Sequence, residues 1–530
     1  MIRVLDPTTA VVRPGQEVGA TAYVSDRLLV RNSELWERDP RVDKALAELG
    51  WGLHVPEKYG EKGVPRREPR SSGFDRESTQ VAGLDLRIIT DAPTLAPDAW
   101  TALQQIRTAA PEAAVSYELV HVMVAADTWS GVGKGGTYIP GIGKGGTYIP
   151  GIGKGGTYIP GIGLGPDEFG MPGYGGKAPV ALIVADPSKT APRLTRPPVV
   201  VMPDTGIGRH PWFPDEAKVG INPAQPGSLG VRVFGDPVAD REPGITARLT
   251  GQFDRLAGHG TFIAGIVRQA CPAARLTSYA VMSSEGLVAE DDALDVLQDV
   301  LDQQVAALAG GHADAIVDVV TLSFGYYHED LPDEDSDPST LPPTSLGTLL
   351  RDLGRAGILV VAGAGNDGTS RPFLPAALAG DTGTGSGDLP LVSVGSLNPN
   401  RSTVSLFSNG GTWVTTYRHG AAIVSTLPRL QNASSQSSSD VAGVDTLTGA
   451  AKQAVEAGKA AAPADRSTID MDDFSGGFGV WSGTSFSAPL LAGQLAQALV
   501  GEGTDAVDLD SLRTRGWSAL ATILRPLRRL

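Results

Sequence analysis

PPVVVMPDTGIG, residues 197–208, is the stretch whose reading decides the fold. Its apolar centre is short and rich in β-branched residues, with no polar residue alternating through it. It closes on Asp-Thr-Gly, which is turn chemistry. A run of this kind reads as a strand buried on both faces, and such strands belong to parallel sheets covered by helices. The pattern recurs at APVALIV (178–184), RLTSYAVM (275–282), AIVDVVTLSFG (315–325), GILVVAGAG (357–365) and LPLVSVGS (389–396). Helical patterns lie between these runs: GTFIAGIVRQA (260–270), EDDALDVLQDVLDQQVAAL (290–308) and TSLGTLLRDLGRAG (344–357). The expected fold is α/β, with a mostly parallel sheet between helical layers. Sites in such sheets form at the carboxyl ends of strands. Asp204 stands at one such end, although Asp-Thr-Gly read alone is equally a plain turn.

Two further stretches carry chemistry. GHGTFIAG (258–265) places His259 between glycines at the start of a helix, where the backbone can approach other groups closely. No other of the seven histidines has so distinctive a setting. GTSFSAPLLAG (483–493) places Ser485 at the opening of a helix, with Pro489 in its first turns. Free backbone N–H groups and the positive end of the helix dipole suit a nucleophile whose attack generates an oxyanion. The same serine read alone is a helix cap.

Taken together, these stretches resemble the Asp, His and Ser motifs of the subtilisin-like serine peptidases (subtilases), in that family's order. The resemblance covers roughly residues 180–500. It departs from the family pattern at Pro203, where an apolar strand residue is usual and where proline removes a ladder donor. The resemblance implies a catalytic triad of Asp204, His259 and Ser485. VVAGAGNDG (360–368) resembles the family segment that carries the oxyanion-hole asparagine, which implies that role for Asn366. LSFG (322–325) resembles the strand that pairs with substrate. It implies substrate binding by Ser323, Phe324 and Gly325, with Gly363 and Gly365 on the other wall of the first pocket. The implied activity is that of an endopeptidase working through an acyl-enzyme. The alternatives are a catalytically silent binding or scaffold protein on the same fold, and an esterase or ligase variant. No cofactor or metal ligand set is legible. Calcium is implied by the resemblance alone, with no ligands assigned.

Residues 1–126 read as a separate α+β domain whose elements follow a βαββαβ, ferredoxin-like order. The family commonly carries a prodomain of that shape, so an inhibitory or folding-assisting role is implied for it. A Gly-rich linker, 127–177, holds GKGGTYIPGI three times, from Gly133, Gly143 and Gly153. Its TYIP segments (repeats spanning 133–163) are a second candidate for an intramolecular inhibitor. The peptidase domain is expected over 178–504, interrupted by a Ser- and Ala-rich insertion at 429–477. A C-terminal helix follows at 505–530. Glu329, Asp330, Asp333, Glu334, Asp335 and Asp337 cluster after the substrate strand and read as a solvated loop, or as a preference for basic substrates.

Composition bounds the partners. The 530 residues are 41% hydrophobic and 19% charged, as expected of a globular protein. A net charge of −15 disfavours nucleic acid and anionic membrane surfaces. Peptide or protein substrates are the expected partners. One cysteine, Cys271, excludes an intrachain disulfide. No stretch of about 18 apolar residues occurs, so no membrane span is expected. The N-terminus has no apolar run of signal-peptide length, so a cytoplasmic location is expected, with export by another route left open.

Overall fold

The structure, a computed structural model, describes residues 1–64, 70–71, 74–75, 80–92, 94–125, 177–213, 231–234, 245–247, 252–253, 256–380, 387–429, 474, 476–503, 505 and 507–524. The three decapeptide repeats and nearly all of the 429–477 insertion lie outside the described residues.

The N-terminal unit is built from β1 (Ile2–Leu5), β2 (Thr21–Arg31), α1 (Pro40–Glu48), β3 (Trp51–His54), β4 (Val81–Ile88), α2 (Ala99–Ala109) and β5 (Tyr117–Ala125). Local chemistry sets the helices. Asp39 caps α1, its side chain accepting from the Arg41 N–H, with Pro40 in the first turn. Asp98 caps α2 by accepting from the Thr101 N–H. The sheet runs β5-β2-β4-β3, each neighbour antiparallel, with β1 added to β2. Leu28, Val42, Leu46, Leu84, Leu103 and Leu119 fill its core between sheet and helices.

The larger unit is a three-layer α/β fold. Its labelled elements are β6 (Val199–Asp204), β7 (Val231–Phe234), α3 (His259–Ala270), β8 (Arg275–Ala280), β9 (Leu287–Ala289), α4 (Glu290–Gly310), β10 (Val319–Leu322), β11 (Phe324–Gly325), α5 (Ser345–Arg355), β12 (Leu359–Gly363), β13 (Leu391–Leu397), β14 (Thr416–His419), β15 (Ile423–Thr426), β16 (Phe478–Trp481), α6 (Thr484–Glu502) and α7 (Leu509–Ile523). Seven strands form one sheet in the order β7-β8-β6-β10-β12-β13-β14, and every pairing in it is parallel. Helix α6 packs on α3 and on strands β10, β12 and β13. The apolar runs noted in the sequence are this sheet's core: Val200, Val201, Leu276, Val320, Val360 and Val392 are all fully buried.

Two local expectations change. APVALIV (178–184) is not a core strand: only Ala178–Pro179 pair, antiparallel with β16, and Ile183 is fully exposed. The Val180 N–H still donates to the Phe478 carbonyl at 3.0 Å, so Pro179, whose nitrogen faces away from β16, breaks no ladder bond, and the run leaves the sheet after Val180. At Pro203 the opposite holds, because β6 stays regular through Asp204 on its β8 side. The Asp204 carbonyl accepts from Val281 and Met282 on that side, so alternate residue Pro203 faces β10. Pairing between β6 and β10 ends at Val201, so the missing donor has no ladder to break.

The two units meet through β5. Its last residues leave their own sheet and run between β9 and β11, antiparallel to both. Val122, Met123 and Val124 pair with Ala289, Val288 and Leu287, while Val124 and Ala125 pair with Gly325 and Phe324. Val120, Met123 and Ala125 are buried in the larger unit's core.

Candidate active site

Asp204 ends β6 and is buried. Its Oδ1 accepts from the Thr205 N–H at 2.8 Å and from His259 Nδ1 at 2.8 Å. That bond fixes the imidazole with its proton on Nδ1 and turns Nε2 away from the carboxylate. Thr205 Oγ1 also accepts from the Gly260 N–H at 2.8 Å, and Thr261 Oγ1 accepts from the Gly208 N–H at 2.8 Å. The Asp turn and the first turn of α3 are thus laced together. They approach so closely that a Cβ on Gly260 would sit 2.1 Å from the Gly206 carbonyl oxygen. Gly258 caps α3 in the left-handed region at φ +83°.

His259 is fully buried in an aromatic setting. Trp481 meets the ring edge-on at 5.6 Å and Phe486 lies tilted at 5.4 Å. Phe486 directly follows Ser485, so the serine's own helix packs against the histidine.

Ser485 sits in the first turn of α6 and is fully buried. Pro489, four residues on, has no N–H to donate back to the Ser485 carbonyl. The Ser323 hydroxyl takes that role, donating to the Ser485 carbonyl at 2.9 Å. In return, Ser485 Oγ donates to the Ser323 carbonyl at 3.3 Å. Asn366 Oδ1 accepts from the Thr484 N–H at 2.8 Å. The amide oxygen thus faces the serine's helix, and Nδ2 is the donor end of the amide. The Gly365 N–H donates to Thr484 Oγ1 at 3.0 Å, and a Cβ on Gly363 would lie 3.1 Å from the Thr484 carbonyl.

The structure therefore gathers the predicted residues. Asp204 is bonded to His259, Ser323 to Ser485, and Asn366 to Thr484, with Phe324 and Gly325 on the strand beside them. Sequence reading missed Thr205, Thr484 and Trp481, whose contacts are long-range and leave no local pattern. Pro489 was the visible signal for the Ser323–Ser485 exchange. Sequence reading also missed β9, too short to stand out, which pairs with β5 on the side away from β11.

The acidic run after β11 divides. Asp333 and Asp337 accept from backbone N–H groups two residues on, in ordinary turns. Glu329 instead is buried and bonded to His121 Nε2 at 2.8 Å. Among the described residues, His121, His328 and Glu329 have donor atoms within 4.8 Å of one another, a spacing that would suit a metal. Their donors are already committed: His121 Nδ1 to Glu290 at 2.6 Å, His121 Nε2 to Glu329, and His328 Nδ1 to the Asp330 N–H at 3.0 Å. The cluster is a closed charge network. Burial opposes charge on His121, yet Glu290 and Glu329 outweigh it and push the imidazole pKa up to about 10.

Fold and site define the class, a serine peptidase. The chain belongs to the subtilase family, whose family model matches residues 198–505. Among solved structures the chain is similar to a cold adapted subtilisin-like serine proteinase, with 16% identity over 64% of this chain and 87% of that one and a TM-score of 0.35. It is also similar to fervidolysin from Fervidobacterium pennivorans, a keratinolytic enzyme related to subtilisin, with 15% identity over 93% of this chain and 56% of that one and a TM-score of 0.43. No curated protein matches it. Among the described residues no helix is long and apolar enough to cross a membrane.

Proposed function

We propose that this chain is a serine endopeptidase whose N-terminal unit occupies its own substrate slot. The observation that carries the reading is the insertion of Val122–Ala125 as an antiparallel strand between β9 and β11, beside Ser485. A peptide held there by backbone bonds on both sides is positioned by main chain rather than by side-chain identity. Continued in the same register, such a peptide has the residue after the partner of Phe324 opposite Ser323, whose carbonyl holds the Ser485 hydroxyl.

In the proposed mechanism Ser485 Oγ turns from the Ser323 carbonyl toward His259 Nε2. The bond it leaves is long at 3.3 Å, so little is lost. Oγ attacks the scissile carbonyl as His259 takes the proton, and Asp204 stabilises the imidazolium through Nδ1. Asn366 Nδ2 and the Ser485 N–H receive the developing oxyanion. His259 then protonates the leaving amine, and water releases the acyl group by the same route in reverse.

With the slot filled from within, the full chain is self-inhibited, and bonds within one or two residues of Ala125 are the first in reach of Ser485. The test is hydrolysis of labelled casein together with the intact mass of the chain. Turnover and self-cleavage just past Ala125, both abolished by Ser485→Ala, are expected. A folded wild type that neither turns over casein nor cuts itself, even after limited digestion of the N-terminal unit, contradicts the reading.

A further inference from the structure

One residue before β5 enters the slot, His121 turns its side chain into the larger unit and is buried there. Nδ1 meets Glu290 Oε2 at 2.6 Å and Nε2 meets Glu329 Oε2 at 2.8 Å. Glu290 opens α4 directly after β9, and Glu329 follows β11, so one carboxylate comes from each edge of the slot. Tyr326 stacks on the imidazole at 4.1 Å, with its hydroxyl donating to Glu290 Oε1 at 3.1 Å. The His328 ring closes the remaining side at 5.2 Å. Glu118, Asp330 and Arg371 stand behind these groups.

The groups that touch the imidazole, Glu290, Glu329, Tyr326 and His328, all belong to the larger unit, while the cation and Glu118 behind it come from the N-terminal strand. When another peptide replaces that strand, two buried carboxylates are left facing the place His121 held. Glu329 keeps His328 Nδ1 at 3.6 Å, but both carboxylates lose the short bonds to His121, and buried carboxylates that lose a charged partner are costly. An aromatic face against the same place favours a cation further.

We propose that Glu290 and Glu329 form a subsite for a basic side chain of the substrate, four residues N-terminal to the residue that pairs with Phe324, and that His121 fills it in cis. This rests on the reading that β5 lies where substrate lies. It adds a sequence preference that backbone pairing does not supply. Lysine and arginine keep their charge across the neutral range, so they suit the subsite at least as well as histidine.

The test has two arms, both on the full chain. In the first, internally quenched peptides copy residues 117–130 with the place of His121 held as His, Lys or Gln. The Lys peptide is expected to exceed the Gln peptide in kcat/KM by about tenfold or more, and Glu329→Gln to erase the difference. Equal kcat/KM for Lys and Gln peptides, both cut in a Ser485-dependent way, overturns the proposal. The second arm needs no turnover: deuterium uptake of residues 122–125 in Ser485→Ala protein. His121→Gln is expected to expose this strand and His121→Lys to keep it protected. Unchanged protection in His121→Gln overturns the proposal, as does loss of protection on adding EDTA, which would mean that a metal bridges the cluster. If no peptide is cut by any Ser485-dependent route, even after limited digestion of the N-terminal unit, the peptidase reading fails while the exchange arm still decides the subsite.

Discussion

Ser323 and Ser485 are joined by two hydrogen bonds running in opposite directions, hydroxyl to carbonyl each way, at 2.9 and 3.3 Å. The proposed nucleophile is thus held by the strand that borders the substrate slot. Replacing Ser323 by Ala removes the donor to a buried carbonyl that Pro489 has already deprived of its helical partner. The expected result is a stability loss of about 1–3 kcal/mol, with kcat falling about fivefold as the serine's helix turn loosens. Denaturant unfolding and steady-state turnover check both halves.

Asn366 is expected to act in the transition state rather than in substrate binding. Asn366→Ala should lower kcat by about 10²–10³-fold with KM nearly unchanged. A kcat within a few-fold of wild type would remove Asn366 from the proposed oxyanion site.

Gly260 is required by close approach. A Cβ there would lie 2.1 Å from the Gly206 carbonyl oxygen, backbone that cannot swing aside. Gly260→Ala is expected to part the Asp204 turn from the His259 helix, at a cost of about 1–3 kcal/mol or more. Activity should fall further than stability alone explains, and comparing residual turnover with the folded fraction by circular dichroism checks this.

Much of this was legible in the sequence, for physical reasons. The strands β6, β10, β12 and β13 are buried on both faces, so they appear as unbroken apolar runs. Asp204, His259 and Ser485 sit at element ends, where turn and cap chemistry leaves a short local signature. Pro203 looked disruptive because its cost depends on which neighbour its nitrogen faces, and only the register of β6 settles that. APVALIV misled because apolarity does not supply a pairing partner. Glu329 looked like one more solvated acid because its shortest side-chain bond is to His121, 208 residues away.

Protonation of His121 links the docked state to pH. Its pKa is pushed to about 10 from an ordinary value of 6.5, so the native state holds the proton more tightly than the unfolded chain. The stability this contributes is full below about pH 6.5 and is lost as pH rises toward 10. The gap in unfolding midpoint between wild type and His121→Gln is therefore expected to be widest near pH 6 and to narrow through pH 9. A gap that is constant or widens with pH would show that His121 is not held as a cation.

The central claim is that Ser485 is a nucleophile activated by His259 in a slot filled by β5. Labelling with a fluorophosphonate probe, mapped by peptide mass, tests it most directly in the wild type, Ser485→Ala, His259→Ala and Val124→Pro. Val124→Pro deletes a backbone donor in the inserted strand and should free the slot. The account predicts a single label on Ser485, none in Ser485→Ala, labelling slowed by about 10³-fold or more in His259→Ala, and faster labelling in Val124→Pro than in wild type. No label on Ser485 in folded Val124→Pro protein, or equal labelling with and without His259, would contradict it.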